Sequence, residues 1–192
     1  MELQSIIKKS YDEHKKTIDS LFYEKRETIE IAGLLLAKTL SNEGTIFWCG
    51  NGGSASDSQH LAAELMGRFK KNRKALRSIA LTADTSVLTC VANDYSYEDI
   101  FSRQIEGLGT SRDLLVAIST SGNSENIIRA LKAAKKNGLH TLLLTGIDGG
   151  KAAGEAEITL TVPSSSTARI QEAHILIGHI LCEIIELELG VA

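Results

Sequence analysis

From Thr45 to near the C-terminus, short apolar runs alternate with longer stretches of helical periodicity, and few folds accept that alternation. The runs are TIFWCG, RSIALTA, DLLVAIST, LHTLLLTG and the shorter, more polar AEITLTVP, which Pro163 stops. Helical stretches are expected at residues 55–68 and 86–91, through SGNSENIIRALKAAKKNG to Gly138, and at residues 167–189. Strands alternating with helices imply a parallel sheet covered on both faces, and the central runs are continuously apolar, as burial on both faces requires. The expected fold is an α/β three-layer sandwich with a five-stranded parallel sheet of flavodoxin-like type. An N-terminal helical pair precedes it, one helix carrying Ile7, Tyr11, His14, Ile18 and Leu21 and a second reading TIEIAGLLLAKTL and ending near Gly44. Such a heptad-like stripe suits a helix-bundle interface between subunits as well as packing within the chain.

At 192 residues the chain is sized for one domain with its own core, and no linker, repeat or low-complexity segment divides it. A net charge of -3 weighs against nucleic-acid binding. The N-terminus, MELQSIIKKSYDEHKK, has no apolar signal core, and no run is long enough to cross a membrane, so a cytoplasmic protein is expected. Cys49, Cys90 and Cys182 are odd in number and far apart, which reads as reduced, buried thiols.

Ligands of open parallel sheets collect at the carboxyl ends of the strands. Two loops expected there are rich in small polar residues: Gly50-Asn51-Gly52-Gly53-Ser54 and Ser119-Thr120-Ser121-Gly122-Asn123-Ser124. Both lead into helices, whose first N–H groups and positive partial charge suit a phosphate. One serine would cap a helix; four hydroxyls in six residues exceed that need and point to phosphate binding. The first loop also fits a loose dinucleotide fingerprint, but RFKKNRKALRS at 68–78 lacks the acid that fingerprint expects.

His60 and Glu64, four apart in a helical segment, share a face, and His179 interrupts the apolar last helix. Two imidazoles and a carboxylate suit zinc. For a fourth ligand, helical spacing favours Glu172, in line with His179, over Gln171, and places His174 on another face. Arg68 is a candidate partner of Glu64 or an ordinary surface arginine; Lys70, Lys71, Arg73, Lys74 and Arg77 read as a solvated basic stretch. Asp94 reads equally as a sugar contact or a loop aspartate.

Taken together, CGNGGSASDSQHLAAEL, VANDYSYEDIFSRQ, AISTSGNSENI, LTGIDGGK and ARIQEAHILIGHILCE resemble the phosphoheptose isomerases, a branch of the SIS-domain proteins, from about residue 40 onward. The resemblance implies a single SIS domain over 1–192, with helices 1–43 in an oligomer interface and an α/β core at 44–192. It implies isomerisation of sedoheptulose 7-phosphate to D-glycero-D-manno-heptose 7-phosphate for bacterial surface polysaccharide, by a homotetramer with active sites shared between subunits. One zinc per subunit is implied on His60, Glu64, Gln171 and His179, so that the resemblance prefers Gln171 where spacing favours Glu172. Phosphate contacts are implied at Ser119, Thr120, Ser121 and Ser124, and further substrate contacts at Asn51, Gly52, Gly53, Glu64, Asn93, Asp94 and Gln171. Glu64 is the expected base and His179 its acid–base partner. Two non-catalytic members of the fold stand as alternatives, a regulator that binds a replication initiator and a sugar-phosphate sensor. Neither needs His60, Glu64 and His179 together.

Overall fold

The computed structural model describes residues 2–190; Met1, Val191 and Ala192, at the ends of the expected 1–192 domain, lie outside the described residues. The elements follow in the order α1 (Glu2–Ser41), β1 (Ile46–Gly50), α2 (Gly53–Met66), β2 (Ser78–Ala80), α3 (Thr85–Asp94), α4 (Ser102–Leu108), β3 (Leu114–Ser119), α5 (Glu125–Lys136), β4 (His140–Thr145), β5 (Ile158–Thr161) and α6 (Thr167–Glu188). Short 3₁₀ turns at Tyr97–Asp99 and Lys151–Glu155 complete them. The five strands pair in parallel in the order β2-β1-β3-β4-β5.

Alternation along the strands divides the interior into two cores, because successive side chains leave opposite faces of a sheet. Ile46, Trp48, Leu114, Val116, Ile118, Leu142 and Leu144 face α1, α2 and α6. Phe47, Cys49, Leu115, Ala117 and Leu143 face the α3–α5 side. Trp48 is wholly buried, and its indole N–H donates to Ser78 Oγ at 2.9 Å, tying β1 to the edge strand.

The expected helical pair is one continuous helix of 40 residues. Nothing between the two predicted runs, no glycine or proline, stops the backbone ladder. The stripe on α1 is divided: Leu21 is buried and Ile18 half-buried against α6, whereas Ile7 and Tyr11 are exposed together with Leu3 and Ile6. Two further expectations are corrected. Cys49 and Cys182 are buried, but Cys90 is exposed on α3. The basic stretch is not wholly solvated: the Arg73 side chain is 2% exposed and pairs with Glu186 of α6 at 3.0 Å. None of the described helices is long and apolar enough to cross a membrane.

Candidate functional site

The sheet order reverses between β1 and β3, so the crevice for ligands opens between their carboxyl ends. The glycine loop follows β1, and the serine-rich loop follows β3. Gly122 sits at φ 62° and touches the chain beyond β4 so closely that a Cβ would lie 1.9 Å from the Gly149 carbonyl oxygen. Only glycine meets both demands. The loop is braced from within and from the segment beyond β4. Gly122 N–H donates to Ser119 Oγ at 3.1 Å, Asn123 N–H to Ser121 Oγ at 3.2 Å, and Gly146 N–H to the Thr120 carbonyl at 3.1 Å. Ser124 stands at the N-cap of α5 yet makes no side-chain cap bond, which leaves its hydroxyl and the first amides of a 12-residue helix to a ligand.

The second cluster lies farther along α2. His60 is seven residues beyond Gly53, or about 10 Å along the helix axis. It meets α6, which approaches α2 closely because Gly178 has no side chain; a Cβ there would lie 2.5 Å from Leu61. His60 Nε2 stands 3.1 Å from Glu64 Oε1 and 3.2 Å from His179 Nε2, and the ligand atoms of all three lie within 4.8 Å of one another. A tetrahedral zinc with bonds of about 2.0–2.1 Å sets its ligands about 3.3 Å apart, so both short separations suit a shared cation. Phe69 stacks on His179 at 5.4 Å between ring centroids.

Gln171 lies eight residues before His179, about 12 Å up α6, with its amide nitrogen 2.6 Å from where a Cβ on Gly53 would be. It therefore covers the glycine loop. Glu172, the choice from spacing, is taken up elsewhere: it pairs with His14 of α1 at 2.7 Å and with Arg169. His174 is buried against β4, its Nε2 3.3 Å from the Thr145 carbonyl oxygen, and burial lowers its pKa to about 4. Asn93 and Asp94 are exposed at the end of α3, where the Asn93 amide donates to Asp94 at 2.8 Å. The cleft beside Asn51 and Gly52 is lined from that side by Thr89, Ala92 and Tyr97 instead. Arg68 is exposed and makes no bond to Glu64; Arg73 donates to the Glu64 carbonyl oxygen instead, at 2.9 Å.

Two features escaped the sequence reading. Asp57, one turn before His60, is half-buried with one carboxylate oxygen fully buried and unpartnered. Burial holds its carboxyl above the usual range, and its electrostatic interaction with His60 and His179 works in the opposite direction. Its position at i-3 from His60 was the available signal. An orphaned acceptor beside two imidazoles again suits a cation or a donor. Asn51 forms a reciprocal amide pair with buried Asn126, both bonds 2.9 Å, and also accepts from Tyr97 Oη at 2.9 Å. α5 and the turn at Tyr97–Asp99 thus hold Asn51, a contact that no local spacing announces.

The SIS domain family model matches residues 10–146. A phosphoheptose isomerase of a Nitratiruptor species is 51% identical over 180 residues, covering 94% of this chain and 96% of the relative. The chain belongs to the phosphoheptose isomerases of the SIS-domain family. The solved phosphoheptose isomerase from Neisseria gonorrhoeae superposes with a TM-score of 0.92 at 43% identity, covering 96% of this chain and 99% of that one. The one from Francisella tularensis gives 0.94 at 35% identity, covering 97% and 100%. The fold of the family, a parallel sheet with a helical N-terminal region, is therefore the fold of this chain.

Proposed function

We propose that the chain is an aldose–ketose isomerase that converts sedoheptulose 7-phosphate to D-glycero-D-manno-heptose 7-phosphate, an early step toward the activated heptoses of bacterial lipopolysaccharide or capsule. The convergence of His60, Glu64 and His179 carries the reading, because neither a sensor nor a protein-binding regulator needs that cluster. The family names at about half identity support the substrate.

In this reading the serine-rich loop takes the phosphate through Ser119, Thr120, Ser121 and Ser124, with the amides that open α5. Asn51, Gly52, Gly53 and Gln171 are assigned to the sugar, and Asn93 and Asp94, exposed at the end of α3, are assigned to it from the family resemblance alone. The ketose holds its carbonyl at C2. Glu64 takes a proton from C1, the C1–H electrons form the C1=C2 bond, and the carbonyl electrons move to O2. His179 carries the O1 proton to O2. Return of the proton to C2, with the carbonyl re-formed at C1, gives the aldose. Zinc, one per subunit, fits His60, Glu64 and His179 and would supply polarisation of the carbonyl oxygen when bound; the fourth donor expected of Gln171 stands apart from these three, over the glycine loop.

The whole chain is read as one cytoplasmic SIS domain in a homotetramer. Exposed Leu3, Ile6, Ile7 and Tyr11 on α1 support burial of residues 1–43 between subunits. Active sites shared across that interface fit the separation of the loop from the cluster along α2. Incubation of the purified protein with sedoheptulose 7-phosphate in D2O tests the reaction by NMR. The expected product is an aldose carrying deuterium at C2. Failure of a folded protein to form any aldose would overturn the reading.

A further inference from the structure

The segment between α2 and β2 crosses the C-terminal half of α6, and one carboxylate receives it. Glu186, almost fully buried, accepts from three successive backbone N–H groups: Phe69 at 3.3 Å, Lys70 at 3.2 Å and Lys71 at 3.2 Å. Successive amides of this kind form an anion-binding concavity. The fourth donor is Arg73 Nε at 3.0 Å. The same guanidinium then reaches back to α2, where Nη2 donates to the Glu64 carbonyl at 2.9 Å and Nη1 to the Leu65 carbonyl at 2.8 Å. These carbonyls belong to the last turn of α2 and have no acceptor role left within the helix, so a buried cation there is well placed.

Each end of this arrangement touches the cluster. Arg73 holds the backbone of Glu64 itself. The concavity fixes Phe69, whose ring lies on His179 with 20° between the planes. His179 and Glu186 are seven residues apart on α6, two turns along one face. A pair meant only to join the segment to α6 would have no need of bonds to the residue that bears the ligand. We infer that Arg73 and Glu186 are positioning residues, a clamp that sets the distance between Glu64 on α2 and His179 on α6 and so tunes the cluster toward a divalent cation and toward turnover. The inference rests on the function proposed for that cluster. Neither residue touches substrate.

The test uses full-length Arg73→Lys, which keeps the charge and loses the fork, and Glu186→Gln, which keeps the shape and loses the charge. Zinc affinity is measured on the metal-free protein by competition with a chromophoric chelator, and kcat and KM are measured separately at saturating zinc. Both variants are expected to lose about 10- to 100-fold in zinc affinity or kcat, as outer partners of metal ligands do, with KM little changed and Arg73→Lys the milder. Folded variants with a lowered unfolding midpoint but unaltered zinc affinity and kcat would overturn the inference, because that is what a stabilising pair alone would give. If neither variant folds, Glu186→Asp decides, since it keeps the charge and draws the carboxylate back by one methylene from the three amides and Arg73. A loss of zinc affinity or kcat then supports the clamp, and wild-type values overturn it. The two readings fail separately. Wild-type protein that binds zinc without isomerising anything sinks the enzymatic reading and leaves the clamp to be judged by affinity. Wild-type protein that does neither sinks both.

Discussion

The serine-rich loop after β3 and the cluster between α2 and α6 are built in opposite ways. The loop is built largely from backbone: residues 119–124 brace one another and lean on the segment beyond β4, where Gly122 fits because nothing larger can. The cluster is assembled from a distance, His60 and His179 standing 119 positions apart in the chain, and its shape is set by how closely two helices pass. Backbone-built sites tolerate loss of one side chain, whereas side-chain clusters do not. That contrast should appear in mutant kinetics as KM effects for the loop and kcat or metal effects for the cluster.

The largest effect is expected from Glu64→Gln. At saturating zinc, kcat should fall about 1,000-fold with KM little changed, as loss of a general base requires. Near-normal turnover by the folded variant would remove Glu64 from that role. His174 lies between the two regions, since it is on α6 and faces the Thr145 carbonyl, beside the Gly146 amide that holds Thr120. Its pKa is lowered to about 4 by burial, so the unfolded chain binds a proton that the folded chain refuses. Stability from this group is complete above about pH 6.5 and is lost as pH falls toward 4, by about 3 kcal/mol. Urea unfolding at pH 7 and pH 4.5 should show the loss, and His174→Phe should flatten the difference; an unchanged difference would contradict the assignment. Gly122→Ala should cost about 1–3 kcal/mol in unfolding free energy and raise KM more than it lowers kcat. A wild-type KM would show that the loop does not hold the phosphate. Ser124→Ala is expected to be smallest, with KM up about 10-fold and zinc affinity untouched. A change in zinc affinity would show that the two regions are not separable.

The same contrast explains what could be read from the chain beforehand. The five strands, their alternation with helices and the two loops follow from local periodicity and small-residue motifs, and they stand where expected, whereas the short α4 is not among the expected helices. The His60–Glu64 pair is an i,i+4 relation on one helix and was equally visible. Relations between distant segments were not. Glu172 has the right spacing to join His179, but His14 and Arg169, brought in by α1 and the first turn of α6, draw it away. Arg73 reads as one cation in a solvated stretch until Glu186, 113 positions later, buries it. α1 looked like two helices because its pattern changes midway, yet a change of pattern does not break a helix where no residue interrupts the hydrogen-bond ladder. The number and spacing of the cysteines group Cys90 with the buried thiols, yet it is exposed on α3.

In the proposed function a cluster that takes zinc and a loop that takes phosphate act together on one sugar phosphate. The most direct measurement is turnover of sedoheptulose 7-phosphate by the purified protein as isolated, after chelation, and after zinc is restored. Turnover is expected to fall on chelation and to return with zinc. Undiminished turnover after complete removal of metal would contradict the role given to the cluster, and a folded protein inactive in all three states would contradict the function itself.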